Sequence, residues 1–226
     1  THAPLPIIEV LGDLTVALRK NSCAVLSAPP GAGKTTIVPL TLIKEPWCTG
    51  KVILLEPRRL AARAAASRMA ALKGESVGQT IGYRMRLDTR ISQATRIEVV
   101  TEGVFSRMIL DDPELAGVSA VIFDEFHERS LDADLGLALA LDTQSALRED
   151  LRIVVMSATL DTDRIAALLN NPPVIKSKGR SFPVEIRYNE RSQQERVEDA
   201  VTRAIESAHR DEGGSILAFL PGQAEI

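Results

Sequence analysis

The sequence predicts an α/β fold in which helices cover both faces of a mainly parallel β-sheet. Short apolar segments alternate with segments of helical character along most of the chain, a pattern typical of βαβ units with right-handed crossovers. Several of these apolar segments are continuous runs, as expected for strands buried on both faces of a parallel sheet. A glycine-rich segment also lies between the first predicted strand and a helix, which is the setting of a phosphate-binding loop.

The composition is that of a globular protein with one large domain or one and a half, since 45% of the 226 residues are hydrophobic and 25% are charged. A net charge of −3 excludes a globally basic surface, so any nucleic-acid site must be local. The sequence contains neither an apolar run of the ~18 residues that a membrane span needs nor the pattern of a signal peptide. Two cysteines and three scattered histidines predict neither a disulfide framework nor a metal cluster, and we expect a cytoplasmic protein.

The first half of the chain contains four helical segments and three strands. Apolar residues at helical spacing predict the first helix, and glycine or proline ends most of the others. In order, these elements are an amphipathic helix over 5–20, the strand Cys23–Ala28, a helix ending near Lys44, the strand Lys51–Glu56, the helix Leu60–Leu72 ended by Gly74, the strand Ile97–Thr101 and the helix Gly103–Leu110.

The second half continues the alternation and then changes character. The continuing elements are the strand Ala120–Phe123, an apolar helix Leu131–Leu147 that we expect to be well covered, the strand Arg152–Met156 ending at Ser157, and a helix Asp161–Leu169 with Asp161 as its cap. After a basic linker at 176–180 we expect a strand over 184–188, a polar helix over 193–209 and a strand over 216–220. Because three elements are too few to close a core, the sequence predicts one domain over 1–178, with a linker and the beginning of a second domain over 179–226.

The segment Ser27–Thr36 reads Ser-Ala-Pro-Pro-Gly-Ala-Gly-Lys-Thr-Thr and is the candidate phosphate-binding loop. It departs from the usual Gly-x-x-x-x-Gly-Lys-Ser/Thr pattern at Ala28, where the first glycine would stand. Backbone N–H groups at a helix start favour an anion, while Lys34 would contact the β- and γ-phosphates and Thr35 would hold Mg²⁺. The residues assigned to the nucleotide in this segment are Gly31, Ala32, Gly33, Lys34, Thr35 and Thr36.

An acidic pair directly follows the strand Ala120–Phe123. A nucleoside triphosphatase needs a carboxylate at the end of a neighbouring strand to hold Mg²⁺, and Asp124 has that position. Glu125 lies beside it and is suited to orient and deprotonate the attacking water. The sequence therefore predicts a site for nucleotide hydrolysis at this edge of the sheet.

Seven segments together resemble the DEAH-box branch of superfamily 2 helicases, and within it most closely the bacterial HrpB-type ATP-dependent helicases. The resemblance covers nearly the whole chain in the family's order. The segments are Glu56-Pro-Arg-Arg-Leu-Ala-Ala62, Gly82-Tyr-Arg-Met-Arg86, Thr101-Glu-Gly-Val-Phe105, Asp124-Glu-Phe-His-Glu-Arg-Ser130, Ser157-Ala-Thr159, Gly179-Arg-Ser-Phe-Pro-Val184 and Phe219-Leu-Pro-Gly222.

This resemblance implies a RecA-like fold, ATP and Mg²⁺ as cofactors, and movement on single-stranded nucleic acid, with RNA favoured over DNA. The implied roles are hydrolysis by Lys34, Asp124, Glu125 and His127; coupling of hydrolysis to domain movement by His127, Ser157 and Thr159; contact with the nucleic-acid backbone by Arg58, Arg59 and Thr101; and contact with the nucleobase by Arg68.

The family's arginine fingers lie in later motifs that this sequence does not contain. Because an arginine finger accounts for ~10³–10⁵ in rate, we expect the chain by itself to bind nucleotide but to hydrolyse it weakly and not to unwind duplexes. Two alternatives remain open: a phosphate-loop NTPase that is not a helicase, and a nucleotide-gated module that binds nucleic acid without catalysis. The sequence does not specify RNA or DNA, the base of the nucleotide, or the oligomeric state.

Overall fold

A computed structural model describes residues 5–158, 162–178, 184–192, 194–222 and 225. Contacts within the chain divide it into two units, Thr1–Arg180 and Ser181–Ile226. The first unit contains the sheet and all the predicted catalytic residues that the structure describes. In the second, the described residues form the helix Val197–Asp211 and irregular segments.

The first unit is built on an eight-stranded sheet with the order β4-β3-β5-β2-β6-β7-β1-β8. Neighbouring strands are parallel, except that β3 and β4 form an antiparallel hairpin. The strands are β1 (Cys23–Ser27), β2 (Lys51–Glu56), β3 (Ile81–Met85), β4 (Asp88–Arg90), β5 (Ile97–Thr101), β6 (Val118–Phe123), β7 (Arg152–Ser157) and β8 (Val174–Lys176). The carboxyl ends of β1, β2, β6 and β7 therefore meet at one edge, where parallel sheets bind ligands.

Helices cover both faces of this sheet, as the sequence predicts. One face packs against α1 (Leu11–Lys20), α2 (Lys34–Leu42) and α3 (Arg59–Lys73). The other packs against α4 (Glu102–Asp111), α5 (Leu131–Ala146) and α6 (Thr162–Leu168), while α7 (Val197–Asp211) belongs to the second unit. The result is three layers, α/β/α, with a separate apolar core on each face of the sheet.

The N-terminal helix differs from its prediction. Instead of one helix over 5–20, the chain begins with a 3₁₀ turn over Pro6–Val10 and then enters α1. The tighter 3₁₀ period turns Ile7 into the core and leaves Leu5 and Ile8 exposed. Ile7 also donates its backbone N–H to the carbonyl of Ala32, so this turn contacts the glycine-rich loop.

The expectation that the apolar helix α5 is well covered is wrong for several of its leucines. Leu131 is 85% exposed, and Leu135 is also exposed. Of the five buried residues of α5, four are small, namely Ala133, Gly136, Ala140 and Thr143, and the fifth is Leu137. A Cβ atom added at Gly136 would lie 3.2 Å from Cδ1 of Phe105, so no larger residue fits there without movement.

The sequence mispredicts strands where pairing with a neighbouring strand, rather than an apolar sequence, determines whether a strand forms. The structure adds the β3–β4 hairpin and β8, and β8 includes Lys176, which the sequence places in a linker. The predicted strands over 184–188 and 216–220 are irregular, since neither pairs with another strand among the described residues. Asp161, the predicted cap, and the segment 179–183 lie outside the described residues.

Candidate active site

The glycine-rich loop connects β1 to α2 and is shaped by two glycines. Gly31 and Gly33 have φ values of 75° and 93°, a left-handed conformation that glycine adopts without steric cost. A Cβ atom at Gly33 would lie 2.7 Å from Cδ1 of Leu5, so a side chain there would also require Leu5 to move. Gly33 is the N-cap of α2, and the helix begins at Lys34 with its N–H groups directed at the loop.

The Pro29-Pro30 pair lies inside this loop, and the backbone on either side of it forms two hydrogen bonds. The N–H of Ala32 donates to the carbonyl of Pro29 at 3.2 Å, and the N–H of Ala28 donates to the carbonyl of Ser157 at 3.0 Å. The loop is therefore tied to β7 at its start and closed on itself in its middle. The backbone N–H groups of Ala28 and Ala32 therefore already have protein partners.

Two side chains from α2 contact the acidic residues that follow β6. Nζ of Lys34 lies 2.7 Å from Oε1 of Glu125, and the ammonium group is almost completely buried. Oγ1 of Thr35 donates to Oδ2 of Asp124 at 2.5 Å. The structure thus brings together four of the residues that the sequence assigned to hydrolysis and metal binding.

Glu56 is a fifth member of this cluster, to which the sequence analysis assigned no role. It ends β2, which neighbours β6, and the pairing of Leu55 with Phe123 places Glu56 beside Asp124. Both carboxyl groups are buried. Burial above all, and then the neighbouring Asp124, raises the pKa of Glu56 to about 8. A protonated Glu56 is a hydrogen-bond donor toward Asp124 in this arrangement.

The pKa of Asp124 is also raised, and its main cause is again burial. The hydrogen bond from Thr35 and the positive charge of Lys34 act in the opposite direction. The N–H of Glu125 donates to Oδ1 of Asp124 at 2.8 Å and further fixes this carboxyl. Buried negative charge at this position favours an added cation.

Glu125 and His127 form the link from the acidic pair to β7. Glu125 has a φ of 47°, which is unusual for a residue with a side chain. Nδ1 of His127 accepts the N–H of Ala158 at 3.3 Å and also lies 3.3 Å from Oε2 of Glu125. One nitrogen cannot accept from Ala158 and donate to Glu125 at the same time, so only one of these two contacts can be a hydrogen bond.

The predicted coupling residues lie at and beyond the end of β7. Ser157 is fully buried at the end of that strand. Thr159 lies outside the described residues. Phe126, which follows the acidic pair, is buried in an edge-to-face contact with Phe123 and anchors the 3₁₀ turn Phe126–Glu128.

The arginines that follow β2 are exposed and form protein contacts. Arg58 forms an ion pair with Glu128, which the sequence analysis did not predict. Nη2 of Arg59 donates to the carbonyl of Arg86 at 3.3 Å. Arg68 lies on α3 and, with Arg58, lines a cavity of about 420 Å³ that also includes Thr35 and Thr36, whereas Arg59 is not among its lining residues.

Thr101 lies in a different place from Arg58. It ends β5, is the N-cap of α4 and lines a second groove of about 810 Å³ between the β3–β4 hairpin and α4. Arg84, Arg86 and Arg107 line the same groove. Nε of Arg84 lies 2.7 Å from Oε1 of Glu98, which is 1% exposed. This buried glutamate fixes the position of the guanidinium group. Of the three predicted nucleic-acid residues, the structure therefore places Arg58 and Thr101 along different cavities.

Other kinds of site are not found in the described part of the chain. No group of three or more His, Cys, Asp or Glu side chains there could hold a metal ion by itself. Both cysteines, Cys23 and Cys48, are buried free thiols. Across the described residues, no helix is long and apolar enough to cross a membrane.

Comparison with known proteins identifies a family and several relatives. The family described as DEAD/DEAH box helicase matches residues 14–168. The ATP-dependent RNA helicase HrpB of Escherichia coli K12 is 55% identical over 98% of this chain and 27% of its own length. The probable ATP-dependent RNA helicase DHR2 of Saccharomyces cerevisiae is 34% identical over 98% of this chain and 31% of its own.

Solved structures agree with this assignment. A crystal structure of the E. coli DEAH/RHA helicase HrpB superposes with a TM-score of 0.93 at 55% identity, covering 98% of this chain and 28% of the other. A second, described as the E. coli DExH-box NTPase HrpB, gives a TM-score of 0.83 at 54% identity, covering 100% and 28%. The resemblance inferred from the motifs and the predicted RecA-like fold are confirmed. This chain spans less than a third of the length of these relatives.

Proposed function

This chain belongs to the DEAD/DEAH box helicase family, and on that premise we propose that it is the ATP-binding half of a motor that moves along single-stranded nucleic acid. The observation that carries this proposal is the cluster at the carboxyl edge of the sheet. There a buried lysine and a threonine from the start of α2 contact the two carboxylates that follow β6.

The cluster fits a magnesium ion with nucleotide phosphates. Mg²⁺ is usually held by one or two carboxylates together with phosphate oxygens and water, and Asp124 with the hydroxyl of Thr35 would supply the protein ligands. The buried carboxyl pair of Glu56 and Asp124, with its raised pKa values, is an environment that a divalent cation would neutralise. The ion would offset the charge of the phosphates during hydrolysis.

Lys34 and Glu125 are partners in this structure, and we propose that nucleotide separates them. The phosphates of a bound nucleotide are the natural partners of a buried ammonium at a helix start. Once Lys34 turns to the phosphates, Oε1 of Glu125 becomes available to orient and deprotonate a water molecule. The contact with Glu125 and the proposed contact with the phosphates therefore use the same ammonium group.

His127 would connect the separation of Lys34 from Glu125 to β7. Its Nδ1 lies at equal distance from Ala158 and Glu125, so a change in the position or charge of Glu125 would alter the bond to the end of β7. Ser157 ends that strand and Thr159 follows it in the sequence. We propose that they couple the change to domain movement. Arg68 is proposed to contact the nucleobase from the wall of the 420 Å³ cavity.

The nucleic-acid contacts are proposed for Arg58, Arg59 and Thr101. Guanidinium groups form bidentate hydrogen bonds with phosphate oxygens, and such contacts carry no sequence information. RNA is favoured as the substrate because the relatives in E. coli and yeast are described as RNA helicases. A cytoplasmic location and a two-domain division near residue 178 are part of the same proposal.

The test is the rate of ATP hydrolysis by the intact protein with and without single-stranded RNA, and with DNA of the same sequence. We expect RNA to stimulate the rate and DNA to do so less. A rate that responds to neither polymer would favour an NTPase that is not a helicase. An absence of turnover, with nucleotide still bound, would favour a non-catalytic binding module.

A further inference from the structure

Two glutamates are buried in the part of the sheet that the structure describes, and they differ in their partners. Glu98 of β5 is 1% exposed and forms ion pairs with Arg84 at 2.7 Å and with Lys51 at 3.5 Å. Glu56, at the end of β2, is 3% exposed, and no lysine or arginine among the described residues forms an ion pair with it. Because burying a carboxyl group without a cation is costly, this arrangement indicates a role for Glu56 other than stabilising the fold.

The side chain of Glu56 reaches the 420 Å³ cavity, which it lines together with Thr35 and Glu125. Asp124, its neighbour at the end of β6, is not among the lining residues. Each oxygen of Asp124 also has a donor already, because Thr35 donates to Oδ2 and the N–H of Glu125 donates to Oδ1. Of these two buried carboxyl groups, Glu56 is therefore the one that a molecule in the cavity can reach.

The backbone of Glu56 is held by strands on both sides. On one side, Glu56 pairs with Thr101 of β5. On the other, the N–H of Asp124 donates to the carbonyl of Leu55 at 3.1 Å, so the contact between β2 and β6 continues to the ends of both strands. A side chain on such a rigid element is suited to hold a ligand in a fixed position.

A direct bond to a metal ion is not needed to explain this carboxyl group. No group of three or more acidic, histidine or cysteine side chains among the described residues could hold a metal ion by itself. Mg²⁺ gives up its water reluctantly and usually keeps several water molecules when it binds phosphates and one or two carboxylates. These water molecules need hydrogen-bond acceptors, and the acceptors around a metal site contribute to its affinity. Glu56 is fixed, buried and open to the cavity, and it fits this requirement.

We propose that Glu56 is a positioning residue for the magnesium–nucleotide complex, and that its carboxylate accepts a hydrogen bond from water carried by the ion. This inference rests on the proposed function and assigns a role to a residue outside the phosphate-binding loop and the acidic pair. The negative charge of the carboxylate would also attract the ion. Loss of Glu56 should therefore weaken nucleotide binding only when Mg²⁺ is present.

The experiment measures the affinity of the 226-residue chain for a fluorescent, non-hydrolysable ATP analogue, once with saturating Mg²⁺ and once with EDTA. The ratio of the dissociation constant in EDTA to that in Mg²⁺ is the magnesium gain. Glu56→Gln is the main variant, because it keeps the size of the side chain and removes its charge. We expect its magnesium gain to be about tenfold smaller than that of the wild type. Its affinity in EDTA should not be weakened, because Lys34 and the N–H groups of the loop remain.

Two further variants separate contact with the hydrated ion from support of the fold. Glu98→Gln removes the other buried glutamate, on the strand next to β2. It should lower the thermal midpoint, because it breaks two ion pairs with a buried carboxylate, but it should keep the magnesium gain of the wild type. Glu56→Asp retains the charge on a shorter side chain and should keep a larger gain than Glu56→Gln. A gain in Glu56→Asp that is no larger than in Glu56→Gln would contradict a role for the charge.

Three other results would overturn the inference. The first is a wild-type magnesium gain in Glu56→Gln, which leaves the proposed function standing if Lys34→Ala still weakens nucleotide binding. The second is a purely structural effect, seen as an equal loss of affinity with Mg²⁺ and with EDTA in Glu56→Gln, or as the same loss of gain in Glu98→Gln. The third is the absence of a magnesium gain in the wild type, and this result would contradict the proposed function as well.

Discussion

The carboxyl edge of the sheet and the arginine-bearing surface beside it differ in how deeply their charged side chains are buried. At the edge, Lys34 is 3% exposed and pairs with Glu125 inside a network that includes Asp124. On the surface, Arg58 is 69% exposed and pairs with Glu128. A buried pair is costly to break, whereas an exposed pair contributes at most about 1 kcal/mol. The edge is therefore preorganised for chemistry, and the surface exchanges partners easily.

The largest expected effect concerns Glu125 and would test the chemical side of this contrast. Glu125→Gln keeps the size of the side chain and removes the proposed base, so ATP hydrolysis by the intact protein should fall by about 10²–10⁴. Nucleotide affinity should be retained, because the phosphate contacts remain. Glu149→Gln, which changes an exposed glutamate in the turn before β7, serves as the control. Full activity of Glu125→Gln would show that Glu125 is not the base.

Lys34→Ala should reduce nucleotide affinity by about 10²-fold, as expected for the loss of charge-assisted bonds to phosphate. RNA binding by the same variant should stay within twofold of the wild type, since Lys34 is buried whereas the arginines proposed to contact RNA are exposed. Lys44→Ala, at an exposed lysine after the end of α2, controls for loss of charge. Equal losses of nucleotide and RNA binding would show that the two regions do not bind their ligands separately.

A pH titration of the thermal midpoint tests the buried carboxyl pair in metal-free protein. The pKa of Glu56 is about 8 in the folded chain against 4.5 when unperturbed, so the folded state binds the proton more tightly. The stabilisation is present below pH 4.5 and is lost as the pH rises toward 8. Glu56→Gln has no titrating group at this position. Its thermal midpoint should therefore fall by several degrees less than that of the wild type over the same pH range. An unchanged slope in the variant would contradict the assignment to Glu56.

The smallest effect is expected for the exposed pair. Glu128→Ala removes the partner of Arg58 and should raise RNA affinity two- to fivefold at low salt, because the guanidinium no longer has to leave a carboxylate. The gain should shrink as salt is added. Glu114→Ala, at an exposed glutamate in the turn before β6, is the matched control. A loss of RNA affinity in Glu128→Ala would show that Glu128 supports Arg58 rather than competing with RNA.

Much of the fold could be predicted because the buried parallel strands are continuous apolar runs. The bounds of β2 and β5 agree with the prediction for this reason. The β3–β4 hairpin was missed because its loop is Arg86-Leu87, which lacks the glycine or asparagine that marks such turns. The two strands expected after residue 183 were wrong because apolar sequence alone does not provide a pairing partner.

The candidate site likewise includes residues that the sequence could predict and residues that it could not. Lys34, Thr35, Asp124 and Glu125 belong to contiguous motifs and could be assigned before the structure. Glu56 acquires its role only through the pairing of β2 with β6, which no local pattern records. The partnership of Arg58 with Glu128 likewise depends on where the 3₁₀ turn Phe126–Glu128 places its last side chain.

The central claim is that the carboxyl edge is a magnesium–nucleotide site, and calorimetric titration of ATP into the 226-residue chain tests it most directly. The account predicts one nucleotide per chain, bound more weakly when EDTA removes Mg²⁺ and about 10²-fold more weakly in Lys34→Ala. Binding that is indifferent to both Mg²⁺ and Lys34, or no binding by a folded chain, would contradict it.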